Sequence, residues 1–86
     1  MPTISLFYGI KINMYYGDHT PPHFHVILAE HEAKVEIATG RILVGDLPKI
    51  AKRLVKEWCD LHRFELEANW DRAMRDEPIH KIEGLK

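Results

Sequence analysis

The chain has 86 residues, of which 45% are hydrophobic and 29% are charged, with a formal net charge of −1. This size and composition predict a single globular domain over residues 1–86, with the small core of a chain that buries only about 60% of its unfolded surface. The net charge excludes a uniformly basic nucleic-acid-binding protein, so contact with RNA or DNA would need a local basic patch.

The first half of the chain is predicted to form a series of short strands. From Ile10 to Tyr16 apolar and polar side chains alternate, which is typical of a half-buried strand. Gly17 to Pro22 is a predicted turn, because consecutive prolines lack backbone donors and end ladder pairing. His23 to Leu28 is the next strand. The connections are too short for helical crossovers, so residues 3–44 are expected to form an antiparallel meander of four to five strands.

The second half of the chain changes to a helical period. Apolar residues recur at spacings of three and four after Asp46, a favourable N-cap, and Pro48, which suits the first turn of a helix. One continuous helix from there to Arg75 would be about 45 Å long, longer than so small a sheet is wide. We therefore expect a break near Asp60 to Phe64.

The predicted fold class is α+β, with two C-terminal helices packed on one face of the meander. The helices are expected at about 47–61 and 63–75, and the tail from Ile79 to Lys86 is expected to be extended or loose. The opposite face of the sheet would carry the polar side chains. Chemistry or a partner contact is expected on that face.

The richest polar segment is 17–26, which holds three of the six histidines, an aspartate and a Pro-Pro pair. Alternation along a strand puts His23 and His25 on one face, away from Phe24. Asp18 and His19 lie close by in the preceding turn. These side chains form the first candidate site.

Metal binding is one interpretation of this site. His23 and His25 could chelate zinc, with His19 or Asp18 as the third ligand and water as the fourth. No obligatory cofactor is expected, and zinc is the metal that the histidines suggest.

Acid–base catalysis is a second interpretation, because two histidines can share one proton near neutral pH and so cleave RNA through its 2′-hydroxyl. Lys11 or Lys34 would then stabilise the phosphorane charge, and Tyr15 could stack on a base. Two further interpretations stay open. The histidines and Tyr15 could contact a protein partner, or the histidines could simply bond backbone carbonyls and brace the turn.

Four basic residues form a second candidate site. They fall at helical spacing on one face of the first predicted helix, at Lys49, Lys52, Arg53 and Lys56. Such a stripe can contact phosphates, and it is also typical of a solvated outer face. Acidic residues follow it along the chain and weaken a continuous nucleic-acid footprint.

The location of the protein is predicted from its cysteine content and hydropathy. A single cysteine cannot form an internal disulfide, which favours a reducing compartment. No apolar run approaches the roughly 20 residues of a membrane span, and the N-terminus has no signal-peptide pattern. A cytoplasmic protein without membrane contact is expected.

Several segments together resemble one bacterial family. They are Met-Pro-Thr-Ile at the start, Phe7-Tyr8-Gly9-Ile10, Tyr15-Tyr16-Gly17-Asp18, Pro21-Pro22-His23-Phe24-His25, and Trp58 to Trp70. On these residues the chain resembles the family named domain of unknown function 4160, and Pro-Pro-His-Phe-His is the most specific mark. The resemblance implies a small cytoplasmic bacterial protein, often encoded beside a second small protein of the family named domain of unknown function 2442.

The two-gene layout that the resemblance implies is similar to a toxin–antitoxin module. We therefore expect a component of such a module, which acts by binding the small protein encoded by the neighbouring gene. The alternatives are an RNA-cleaving toxin that uses the histidine pair, or a metal-binding histidine site. The small core also makes a homodimer an expectation.

Overall fold

A computed structural model describes residues 2–86 and contains five strands followed by two helices. The elements in chain order are β1 (Thr3–Phe7), β2 (Ile10–Asn13), β3 (His23–Leu28), β4 (His31–Glu36), β5 (Ile42–Gly45), α1 (Lys49–Leu61) and α2 (Arg63–Met74). The predicted α+β class, the meander and the pair of C-terminal helices are confirmed.

The strands form one antiparallel sheet in the order β1-β2-β3-β4-β5, with β3 at its centre. His25 lies opposite Asn13 on β2 and opposite Lys34 on β4. Directly paired residues share a face of the sheet, so these three side chains lie together. Phe24 and Val26 are fully buried on the other face, as the alternation predicts.

The core lies between the apolar face of the sheet and the helices, and Trp58 of α1 is at its centre. The indole is fully buried and packs against the rings of Phe7 and Phe24, with centroid separations of 5.4 and 5.6 Å. Its Nε1 donates a hydrogen bond to the carbonyl oxygen of Glu83 at 2.9 Å. The one polar atom of this large buried side chain is thereby satisfied.

The start of α1 differs from the prediction. The helix begins at Lys49 rather than residue 47, and the predicted N-cap role of Asp46 is wrong. The Asp46 carboxylate instead accepts the N–H of Leu47 at 2.9 Å and pairs with the ammonium of Lys52 at 2.9 Å. Pro48 occupies the cap position without a side-chain hydrogen bond.

The predicted break between the helices is confirmed at His62. Backbone hydrogen bonds still run through the junction, because the N–H of His62 donates to Trp58 and its carbonyl accepts from Leu66. The second helix ends at Met74, one residue before the predicted end. Within residues 2–86, neither helix has the length and apolar character needed to span a membrane.

The C-terminal tail, which is expected to be extended or loose, has no regular secondary structure but is docked rather than loose. The N–H of Ile82 donates to the carbonyl of Ile4 on β1 at 2.7 Å, and the Ile82 side chain is only 4% exposed. Gly84 lies so close to β1 that a Cβ there would approach the Phe7 Cβ to 2.9 Å. The tail therefore covers the β1 side of the core.

We expect Gly45→Ala to destabilise the fold more than Gly17→Ala. Both glycines have positive φ, +84° and +65°, but a Cβ on Gly45 would lie 2.1 Å from the backbone oxygen of Glu32, whereas one on Gly17 meets nothing within 4 Å. The Gly17 variant should lose only the conformational cost of about 1 kcal/mol. The Gly45 variant should lose severalfold more of its free energy of unfolding, as measured by urea denaturation. Equal losses in the two variants would contradict the steric argument.

Candidate functional site

The loop between β2 and β3 brings Asp18 onto the sheet face that carries the two β3 histidines. The Asp18 Oδ2 atom lies 2.9 Å from Nε2 of His25 and 3.0 Å from Nε2 of His23. The carbonyl of Pro22, at the end of this loop, accepts a hydrogen bond from the N–H of Ile37 at 3.0 Å and so ties the loop to the end of β4. We refer to these three side chains as the Asp18–His23–His25 cluster.

His23 is the buried member of the cluster, with its side chain only 5% exposed. Its Nδ1 lies 2.8 Å from the carbonyl oxygen of Pro21. A carbonyl can only accept, so Nδ1 carries a hydrogen and the neutral ring has its lone pair on Nε2. That Nε2 is buried without a hydrogen bond, although it faces the Asp18 carboxylate. The ring also packs against the indole of Trp70, 5.3 Å between centroids.

His25 is the more accessible histidine, with 15% of its side chain exposed. Its ring meets Tyr15 edge-on at 4.4 Å and lies 5.1 Å from the ring of His23. The Tyr15 hydroxyl in turn accepts a hydrogen bond from the buried amide of Asn13 at 3.2 Å. Both histidine rings are therefore held in fixed orientations by aromatic neighbours.

The charge state of Asp18 is set by its neighbours. Burial raises its pKa, but hydrogen bonds from His25 and from the backbone N–H of His19, with the charges of His23 and His25, outweigh burial and lower the pKa from 3.8 to about 2. The carboxylate is consequently ionised at neutral pH. It gives the cluster a negative charge beside the two imidazole rings.

The remaining residues of the first predicted site are only partly brought together. The ring of His19 is not a member of the cluster, and only its backbone N–H contacts Asp18, at 2.9 Å. Lys34 lies directly across from His25 on β4, while Lys11 lies across from Ile27, two residues further along β3. A shallow groove of about 300 Å³ runs between Tyr15, His25 and Lys34.

The second predicted site is a groove between β5 and α1, with a volume of about 500 Å³. Its rim carries five basic side chains: Arg41, Lys49, Lys52, Arg53 and Lys56. Its apolar lining consists of Val35, Ile42, Leu47 and Val55. We call it the basic groove. Sequence reasoning missed Arg41, which precedes β5 and joins the α1 stripe only through tertiary packing.

Two of the five groove cations are already paired and three are not. Lys52 binds Asp46 at 2.9 Å and Lys56 binds Asp60 at 2.7 Å, and these hydrogen bonds lower the pKa of both carboxyl groups. Across residues 2–86, no carboxylate lies within ion-pair distance of the other three groove cations, which are exposed: Arg41, Lys49 and Arg53.

Cys59 lies apart from both sites. It is fully buried in the core, where its thiol donates to the carbonyl of Ile37 at 3.5 Å. Burial raises the pKa of this thiol above its usual value, so the reactive thiolate is disfavoured. Cys59 is a packing residue.

The fold and site define a small α+β domain in which a β-meander and its second loop hold an Asp-His-His cluster. The family model described as "Domain of unknown function (DUF4160)" matches residues 9–71, which include the cluster and α1. The match spans well over half of the sequence, so the chain belongs to this family, as its sequence motifs predict. Searches of curated proteins and of solved structures gave no match.

Asp18 should make the stability of the fold depend on pH under acidic conditions. Because its pKa falls from 3.8 to about 2 on folding, its contribution is complete above pH 3.8 and is lost as the pH falls through 2. We expect the free energy of unfolding of the wild type to drop more steeply between these pH values than that of Asp18→Asn. Urea titrations at several pH values test this; parallel pH profiles would contradict it.

Proposed function

We propose that the protein is the binding component of a two-protein bacterial module and that it holds a small protein partner in the basic groove. The observation that carries the proposal is the combination of an apolar floor with three cations that have no carboxylate partner. A matching partner segment would present apolar side chains flanked by Asp or Glu. The neighbouring-gene protein implied by the family resemblance is the proposed source of that segment.

The charge of the groove is local, which supports a specific contact rather than general affinity for polyanions. The whole chain has a net charge of −1, yet five of its twelve Lys and Arg residues line this one groove. Rim charges of this kind mainly steer association and exclude wrong partners, whereas the burial of apolar surface supplies most of the affinity. Val35 and Val55 are buried beneath the groove, so the partly exposed Ile42 is the apolar lining residue that a partner side chain would contact.

Charge reversal in the groove should weaken the complex without unfolding the chain. We expect the double variant Lys49→Glu/Arg53→Glu to bind the neighbouring-gene protein at least about tenfold more weakly, mostly through a slower association rate. Lys81→Glu, an exposed cation on the tail, is the matched control and should bind normally. Co-purification and calorimetry with the co-expressed partner measure both.

Each possible result of this binding experiment leads to a different conclusion. Absence of association at micromolar concentration for the wild type would overturn the proposal. Equal weakening by Lys81→Glu would place the contact outside the basic groove. Binding of RNA rather than the partner, with a strong dependence on salt, would identify the groove as a phosphate-contacting surface instead.

RNA cleavage is a second candidate function, which a specific observation favours. The Nε2 of His25 lies 2.9 Å from Oδ2 of Asp18, and Lys34 lies directly across the sheet from His25. An imidazole oriented by a carboxylate is a general base, and a nearby ammonium stabilises developing negative charge. In this reading the reactive role falls to His25, because His23 is almost fully buried, and Lys11 is the second phosphate contact.

A growth experiment tests this second candidate. We expect induced wild-type chain to arrest bacterial growth and His25→Ala to relieve the arrest completely, because the base is lost. His19→Ala, on the same loop but outside the cluster, serves as the control and should still arrest growth. Normal growth with the wild type, or arrest that persists in folded His25→Ala, would exclude catalysis by this histidine.

A further inference from the structure

We propose that the Asp18–His23–His25 cluster is a binding site for a first-row divalent metal ion of the zinc class, with Asp18 rather than His19 as the third ligand. The three side chains each offer one ligand atom, and these atoms all lie within 4.8 Å of one another. Two imidazole nitrogens and one carboxylate oxygen are an established ligand set for Zn²⁺ and related ions. The proposal is independent of the basic groove.

The unpartnered nitrogen of His23 is the strongest observation. Its Nδ1 is committed to the Pro21 carbonyl at 2.8 Å, so the lone pair of the neutral ring is on Nε2. This buried atom has no hydrogen bond and points toward a carboxylate oxygen 3.0 Å away, which also carries only lone pairs. With the ring neutral, two acceptors face each other in a buried place and repel, whereas a cation between them, either a proton or a metal ion, would be bound by both.

The hydrogen bond from Nδ1 is also the one that a metal-binding histidine needs. Metal-ligating imidazoles almost always donate their other ring N–H to a carbonyl or carboxylate, which fixes the tautomer and increases the basicity of the ligating nitrogen. The Pro21 carbonyl performs this role for His23. The chain therefore provides both a ligand and its supporting contact within one short loop.

The spacing of the ligand atoms fits small-ion coordination with little rearrangement. A tetrahedral ion with bonds of about 2.0–2.1 Å holds neighbouring ligand atoms roughly 3.3 Å apart. The Asp18 oxygen is 2.9 and 3.0 Å from the two histidine nitrogens. Coordination would widen these two separations by a few tenths of an ångström, and His25 would ligate through Nε2 as the tautomer that carries its hydrogen on Nδ1.

The surroundings of the cluster favour a bound ion. Trp70 packs against the ring of His23, and Tyr15 packs against the ring of His25, so both imidazoles are shielded and cannot easily turn away. The side chain of His25 keeps 15% of its surface exposed, which leaves a path for the ion and for a water ligand. Three protein ligands with one open position is the arrangement of catalytic rather than structural zinc sites.

Metal titration of the untagged protein tests the proposal. The full-length chain is treated with a chelator, dialysed and titrated with Zn²⁺ by calorimetry and with Co²⁺ by visible absorption. We expect saturation at one ion per chain and the intense bands of a four- or five-coordinate Co²⁺ site. We also expect Zn²⁺ to raise the Tm, because an ion that binds only the folded chain stabilises it.

Variants of the proposed ligands identify which side chains bind the ion. Asp18→Asn and His25→Ala should each lower Zn²⁺ affinity by more than the roughly 10- to 100-fold that loss of an outer contact costs. His19→Ala and His80→Ala are the matched controls and should bind Zn²⁺ as the wild type does. Far-UV circular dichroism verifies that each variant is folded.

Two results would overturn the proposal. One is a wild-type chain that shows no saturable binding at one equivalent, which would make the cluster a hydrogen-bonded brace of the loop. The other is unchanged affinity in folded Asp18→Asn and His25→Ala, or an equal loss in His19→Ala, which would place the bound ion elsewhere.

Discussion

The two-residue period of β3 is the constraint on which both halves of this structure depend. The same six-residue strand sends Phe24 and Val26 into the core and His23 and His25 to the opposite face. Because β3 is central and paired on both sides, its register cannot slip by one residue without exchanging the two sets. The core that holds the helices therefore also fixes the orientation of the histidines.

The polar face of β3 is much less exposed than the solvent-facing side of a sheet that packs on a core with its other side only. His23 is buried because the loop carrying Asp18 returns over it and because Trp70 of α2 reaches its ring. A polar group moved out of water in this way needs partners. The chain supplies one through the Pro21 carbonyl, and the Asp18 carboxylate faces the other nitrogen without a hydrogen bond. That imbalance is the observation on which the proposed metal site rests.

The molecule thus presents two chemically different surfaces. The Asp18–His23–His25 cluster is compact, largely shielded and built from the loop and β3, whereas the basic groove is open and lies between β5 and α1. A small ion is the proposed occupant of the first, and an acidic segment of a protein partner is the proposed occupant of the second. Since the two surfaces use different residues, substitutions can test the two proposals separately.

The structural features that depend on short segments are predicted correctly, because side-chain periodicity and turn-forming residues act within a few residues of one another. Alternation predicted the strands and the shared face of His23 and His25, and the length of the helical stripe predicted the break that falls at His62. One local prediction is wrong, because the Asp46 carboxylate accepts from Leu47 and pairs with Lys52 instead of capping α1. Contacts between distant segments have no such local pattern. The tail lacks a periodic pattern, but its backbone finds a partner on β1.

The sequence by itself determined the class of fold, the family and the two sets of candidate residues. Periodicity, turn chemistry and motifs depend only on residues that are close together in the chain. The tertiary structure alone decided which of these residues meet. Asp18, and not the ring of His19, lies beside the histidine pair, and Arg41 lies beside the basic residues of α1. The physical reason is that a loop's path and the packing of a helix against an edge strand depend on contacts between distant segments, which no local pattern encodes.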